Sequence, residues 1–142
     1  MVKFNKILLP VDGSKSSIWA MENAAGLSAI MDAEILLLYV TGALPQIIKG
    51  QPREEAEKAQ KEEADLVLAP YHLFLDENKV TYRAKFVPAF NVWNTICLVA
   101  EDEGCDLIVM GSRGRGDWEG AMLGSVTHRV LAHCTIPVFV VR

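Results

Sequence analysis

The densest chemistry in the chain lies in one glycine-rich segment. Gly111-Ser112-Arg113-Gly114-Arg115-Gly116 follows a short apolar run and leads on to Gly124-Ser125-Val126 at the start of a helical pattern. Glycines let backbone N–H groups approach an anion with no Cβ in the way. A helix N-terminus adds unpaired N–H donors and the positive end of its dipole. Ser125 contributes a hydroxyl there, and Arg113 or Arg115 can contribute charge. These are the parts of a phosphate cradle. The competing reading is a surface loop with solvated arginines and a Ser125 that only caps a helix.

Two known phosphate loops are excluded by spacing. The pattern GxxxxGK[ST] is absent, and a dinucleotide GxGxxG begun at Gly114 and Gly116 meets Glu119 at its third position, with Gly120 one residue late. A second candidate, Asp12, closes the first apolar run in Pro10-Val11-Asp12-Gly13-Ser14. It is suited to hydrogen-bonding a nucleoside or a metal, or else to an Asx turn with Gly13. A phosphoacceptor role needs a neighbouring acidic cluster and a lysine, and neither is evident.

Catalytic constellations are weak by comparison. There is no GxSxG elbow, and Ser125 and His128 merely share one helix face at i,i+3. His72 and His133 read as packing or surface residues, and no His/Cys/Asp grouping has metal-ligand spacing. Cys97, Cys105 and Cys134 include no CxxC pair, and Cys97 and Cys105 read as small buried hydrophobes in a reducing, cytoplasmic protein. Trp19, Trp93 and Phe90 read as core or crevice-wall residues.

Elements of a definite kind must hold these residues. Apolar runs at 7–11, 34–40, 80–87, 107–110 and 138–141 are nearly continuous, as strands buried on both faces are. Helical patterns lie between them at 16–31, 53–77, 92–103 and 125–133. Ser14 or Ser16 caps the first; Asn91 caps the third, which ends at Gly104. In the second, Pro52 suits the first turn, Glu54–Lys58 and Glu57–Lys61 are i,i+4 pairs, and Pro70 should kink or split the helix. Strands alternating with helices make an open parallel sheet covered on both faces. Ligands of such sheets bind beyond the carboxyl ends of the strands, where the winding reverses. Residues 41–51, with Leu44, Ile47 and Ile48, form an apolar connector suited to a lid or an interface.

Composition narrows the class further. At 142 residues, 51% hydrophobic and 23% charged, the chain is expected to form one domain, residues 1–142, with a real core. A net charge of −4 argues against nucleic acid as a partner. Its longest apolar stretches, such as 35–40, fall far short of the roughly 20 residues a membrane-spanning helix needs, and residues 7–9 are too short for a signal-peptide core.

The spacing Gly111, Gly114, Gly124-Ser125 fits the G-x2-G-x9-G-[ST] motif, and with it the chain resembles the nucleotide-binding universal stress proteins. Ile7-Leu8-Leu9-Pro10-Val11-Asp12-Gly13-Ser14, the run from Asp106 to Gly111, and Ile136-Pro137 through Val141 are similar to strands and turns of that family. The resemblance spans essentially the whole chain and is weakest at 42–82. It implies a five-stranded parallel sheet in order 3-2-1-4-5, which sets Asp12 beside Gly111. It also implies ATP, with Mg²⁺, in the crevice, bound by a regulatory module that hydrolyses it slowly at most. A dedicated nucleotide hydrolase or transferase is the alternative.

By the same resemblance, Pro10, Val11, Asp12 and the Val40 backbone would hold the adenosine. Met110, Gly111 and Gly114 would approach ribose and phosphates, with Arg113 nearby, and Gly124, Ser125 and Val126 would cradle the phosphates. One departure stands out: Phe90-Asn91-Val92 replaces a frequent Gly-x-Pro, so that Phe90 would line or narrow the crevice mouth. In that strand order the last strand, Val138 to Val141, is an apolar edge, which invites antiparallel pairing into a homodimer.

Overall fold

The computed structural model of the chain describes residues 1–117 and 122–142. Strands and helices alternate as β1 (Lys6–Val11), α1 (Lys15–Met31), β2 (Glu34–Gly42), α2 (Gly50–Glu77), β3 (Tyr82–Ala89), α3 (Val92–Asp102), β4 (Leu107–Gly111), α4 (Ser125–His133) and β5 (Val138–Val141). The five strands form one parallel sheet in the order β3-β2-β1-β4-β5. Glu119 and Gly120, where the dinucleotide pattern fails, lie outside the described residues.

The continuous apolar runs of β1, β2 and β4 have a simple cause. Successive side chains point to opposite faces, and here both faces are covered. Ile7, Leu9, Ile35, Leu37 and Val109 pack under α1 and α2. Leu8, Leu36, Leu38, Ile108 and Met110 pack under α3 and α4.

The helix ends follow the expected chemistry with some changes. Ser14, not Ser16, is the N-cap of α1, its hydroxyl accepting from the Ser17 N–H at 3.2 Å. Asn91 caps α3 in the same way. Past the C-terminus of α3, Gly104 takes φ 69°, and the Cys105 N–H bonds the Ala100 carbonyl at 2.8 Å. That is the Schellman arrangement, which favours glycine at its left-handed position.

Four expectations need correction. β3 is an edge strand with Arg83 and Ala84 exposed, not a strand buried on both faces, because nothing lies beyond it in the sheet. Pro70 does not split α2, which runs unbroken over 28 residues. Both Pro70 and Leu66, whose carbonyl loses its helical donor, lie on the solvent side, where water can bond that carbonyl. The ion pairs within α2 are Arg53–Glu57 and Lys61–Asp65, so Glu57 and Lys61 each pair with a different residue from the one expected. Finally, Cys97 is not a free thiol: it is joined to Cys134, with Cα atoms 5.5 Å apart. The two are 37 positions apart in sequence and meet because α3 and α4 share one face of the sheet. Cys105 is buried and free, and burial pushes its thiol up to about 11.

At the amino ends of the strands, Glu103 receives Arg83 at 2.7 Å and Lys85 at 3.1 Å, with Lys6 at 3.7 Å. The hydrogen bonds from Arg83 and Lys85 hold its carboxyl down at about 2. This cluster lies away from the carboxyl ends, so its part is to tie β1, β3 and the end of α3 together. No helix among the described residues is long and apolar enough to cross a membrane.

Candidate functional site

The reversal point of the sheet lies between β1 and β4, and two chain segments cross there. The turn 12–14 leaves β1 for α1, and the segment from Ser112 leaves β4 for α4. Asp12 joins them. Its Oδ1 accepts from the Ser14 N–H at 2.9 Å, which is the Asx-type turn, and its Oδ2 accepts from the Arg115 N–H at 2.7 Å. The two readings of Asp12 are thus compatible, since one carboxylate shapes its own turn and also faces the crevice. Gly13 follows at φ 84°, a conformation that disfavours a side chain.

Each glycine of the motif is needed for space; none of the three has a positive φ. A Cβ on Gly111 would collide with Ser16 of α1, 2.7 Å from its backbone carbon. This first glycine therefore lets α1 lie against β4. A Cβ on Gly114 would lie 2.6 Å from the Asp12 Oδ2. A Cβ on Gly124 would run into the Asp117 carboxylate and come within 3.1 Å of the Arg113 Cα. Gly114 and Gly124 thus bound a narrow space that the Asp12 and Asp117 carboxylates and the Arg113 backbone approach.

The start of α4 faces that space. Gly124 is the N-cap residue and supplies no side-chain cap, so Ser125 occupies the first helical position and does not cap the helix. The Gly124 N–H is already bonded to the Ser112 carbonyl at 2.6 Å. The first-turn amides that follow, from Ser125 and Val126, are the donors a helix leaves without intrahelical acceptors. Thr127 fixes the helix in place, its hydroxyl donating to the Gly111 carbonyl at 2.8 Å.

Two compartments open along the crevice at this end of the sheet, and an open groove of about 500 Å³ lies beside them on the α1 side, among Ser16, Trp19, Arg113, Gly114 and Asp117. A cavity of about 130 Å³ lies among Asp12, Met110, Gly114, Asp117 and Ser125, with Arg113 on its wall. A second, of about 300 Å³, lies among Val11, Leu38, Val40 and Thr41, with Arg115 and Val126 shared between the two. Pro10 and Val11 line both. Every residue expected to meet a ligand therefore borders this crevice except Gly124, which is buried. The arrangement is apolar walls at the β2 side and convergent N–H groups at the α4 side. That division suits a ligand with a flat apolar end and an anionic end.

A polar network under the first turn was not evident in the sequence. The Gly13 N–H donates to the Tyr71 hydroxyl at 3.1 Å, and Tyr71 lies 2.5 Å from the Ser17 Oγ. Ser17 in turn donates to the Ser14 carbonyl at 3.0 Å. Burial raises the Tyr71 phenol above its ordinary value, so it stays protonated and can donate to Ser17 while accepting from Gly13. Tyr71 thereby props the Asp12 turn from α2. Ser16, Ser112 and Thr127 are likewise buried polar residues at this end. For Ser16 and Thr127 the sequence offers only a polar residue within a helical pattern, and for Ser112 only its place just after β4.

Other candidates fall elsewhere. Phe90 is 79% exposed and borders neither compartment; Val92 and Ile96 line the crevice from α3. Trp93 stacks on His133 with ring centroids 4.6 Å apart, His72 pairs with Tyr82, and His128 is exposed. Trp19, by contrast, is partly exposed on α1 and lines the open groove shared with Arg113 and Asp117. Of the connector 41–51, Ile47 is exposed, while the Arg53 guanidinium bonds the Pro45 and Ile48 carbonyls and folds the segment against α2. A further groove of about 430 Å³ lies at the amino ends of the strands, between α1 and the end of α2, remote from these converging donors.

Comparison with known proteins agrees with this architecture. Residues 3–142 match the universal stress protein family. Universal stress protein MJ0531 of Methanocaldococcus jannaschii is 34% identical, over 98% of this chain and 82% of its own. Universal stress protein YxiE of Bacillus subtilis is 33% identical, over 98% of this chain and 99% of its own. The solved structure of MJ0577 superposes with a TM-score of 0.84 at 30% identity, covering 99% of this chain and 96% of that one. Two more distant structures share the fold: a universal stress protein in complex with cAMP (TM-score 0.71, 19% identical) and one from Archaeoglobus fulgidus in complex with dAMP (TM-score 0.69, 14% identical). Sheet order, helix placement and a sequence match across nearly the whole chain lead to one conclusion: the chain belongs to the universal stress protein family.

Proposed function

We propose that this protein binds ATP, with Mg²⁺, across the two compartments and acts as a regulatory nucleotide-binding module. The observation that carries the reading is the space that Gly114 and Gly124 leave free of side chains of their own, beside the first turn of α4. Phosphates would sit there on the Ser125 and Val126 amides, with the Ser125 hydroxyl and Arg113 beside them. Adenosine would lie towards β2, against Pro10, Val11 and the Val40 backbone, with Asp12 reaching the sugar and Met110 and Gly111 below it. Nucleotides in two relatives of the same fold support an adenine nucleotide as the class of ligand.

Mg²⁺ would arrive on the phosphates with water ligands, as it commonly does. Phosphoryl transfer relies on placed cations and an oriented nucleophile. The hydrogen bonds described above show Asp12 engaged with backbone N–H groups at both oxygens, which favours binding over fast hydrolysis. A cytoplasmic location belongs to this reading.

β5 extends the proposal to a homodimer. It is a sheet edge, and Phe139 on it is 42% exposed. A second copy pairing antiparallel along Val138 to Val141 would satisfy the edge and cover that side chain. Mass spectrometry of small molecules released from the purified protein on denaturation tests the ligand. Release of an adenine nucleotide supports the reading, whereas multiple-turnover hydrolysis at or above about 1 s⁻¹ would favour the enzyme alternative.

A further inference from the structure

An acidic side chain midway along the β4–α4 segment occupies the place where an anion belongs. Asp117 Oδ2 accepts from the Gly114 N–H at 2.5 Å. The same oxygen is the first atom a Cβ on Gly124 would strike, and it lies 3.4 Å from a Cβ placed on Gly114. One carboxylate oxygen therefore bridges the two glycines that leave room for the cradle, close to the N-terminus of α4, whose dipole favours negative charge.

Asp117 is half-buried and held by a turn, its own N–H bonding the Gly114 carbonyl at 3.3 Å, with Gly116 at φ 80° just before it. Asp12 presents its carboxylate to Gly114 as well, its Oδ2 2.6 Å from a Cβ placed there. A phosphate oxygen cannot share this space with Asp117, on grounds of volume and of like charge.

We infer that Asp117 is an internal anion that fills the phosphate cradle and must swing out before a phosphate-bearing ligand seats. The inference rests on the nucleotide-binding reading above and adds a residue that controls it. Asp117 then discriminates by ligand charge: it opposes the phosphate end and leaves the adenosine end untouched. Removing it relieves a charge-assisted contact that the ligand otherwise has to displace, a class of interaction stronger than a neutral hydrogen bond.

The test compares the unmodified protein with D117N and D117A by titration calorimetry, using ATP and adenosine, each with Mg²⁺ and with chelator. The inference expects both variants to bind ATP about tenfold more tightly or better in chelator, with adenosine affinity unchanged. Thermal melting of both variants near the unmodified protein shows that the fold is kept; D117N retains an acceptor for the Gly114 N–H if D117A does not fold. ATP binding that is equal in all three proteins overturns the inference and leaves the nucleotide reading intact. A gain shared equally by adenosine, or a loss of ATP affinity confined to Mg²⁺ conditions, also overturns it; the second result would make Asp117 a cation ligand. Absence of ATP binding in all three proteins overturns both.

Discussion

Substituting Gly111 by alanine isolates the packing role of the first motif glycine. The residue lies at the end of β4, is buried, and has a φ that alanine tolerates, so backbone strain plays no part. What changes is space: the new methyl would sit 2.7 Å from the Ser16 backbone carbon, and also against its Cβ and Oγ. The backbone of α1 must move, because no flexible side chain alone can yield. Overpacking of this kind costs about 1–3 kcal/mol. For a chain of this size each kcal/mol shifts the melting temperature by about 2–4 °C, so a mid-range cost lowers it by roughly 4–8 °C. Gly26, in the interior of α1 with nothing within 4 Å of its missing Cβ, serves as the control. Alanine there should raise stability by about 0.5–1 kcal/mol, since glycine has more conformational entropy to lose. Differential scanning calorimetry of the two variants measures both signs. A Gly111→Ala protein that melts with the unmodified one would show that the α1–β4 approach is looser than described, and the reasoning would fail.

Three further outcomes are expected. Tyr71→Phe leaves the Gly13 N–H without its partner and should lower stability by about 1–3 kcal/mol, read as a shift in the urea midpoint at constant m-value. Asp12→Asn keeps an acceptor oxygen for the Ser14 N–H and should weaken ATP binding less than Asp12→Ala; equal losses in calorimetry would argue that Asp12 does not act as an acceptor. Glu103 is held down at about 2 from an ordinary 4.5, so its contribution is present above about pH 4.5 and is lost as pH falls towards 2. Glu103→Gln should therefore flatten the stability profile over that interval, and an unchanged acid limb would show that the Arg83–Lys85 cluster does not matter to folding.

Strand positions and the crevice were legible because β1, β2 and β4 are buried on both faces, which leaves an unbroken apolar record. β3 was misjudged since an edge strand buries only part of its surface, and Arg83 and Lys85 are the trace of that exposure. Strand order was not written in local pattern. It followed from the resemblance, and the parallel pairing of β1 with both β2 and β4 bears it out. The glycine spacing pointed to this end of the sheet but did not distinguish Gly111, which lets α1 lie against β4, from Gly114 and Gly124, which face the Asp12 and Asp117 carboxylates. Tyr71, Thr127 and Asp117 were silent because their roles depend on partners far along the chain or across a loop. The same holds for Cys97 and Cys134, whose pairing exists only once α3 and α4 lie side by side.

The central claim is that the space between Gly114 and Gly124 receives the phosphates of ATP. Isothermal titration of ATP with Mg²⁺ into the unmodified protein and into Gly124→Val measures it directly. A valine there would project into the position now held by the Asp117 carboxylate, against the Arg113 backbone, filling the cradle itself. Losing one or two buried hydrogen bonds at about 1–3 kcal/mol each predicts an affinity lower by about tenfold or more. A folded Gly124→Val protein that binds ATP as tightly as the unmodified one would contradict the account.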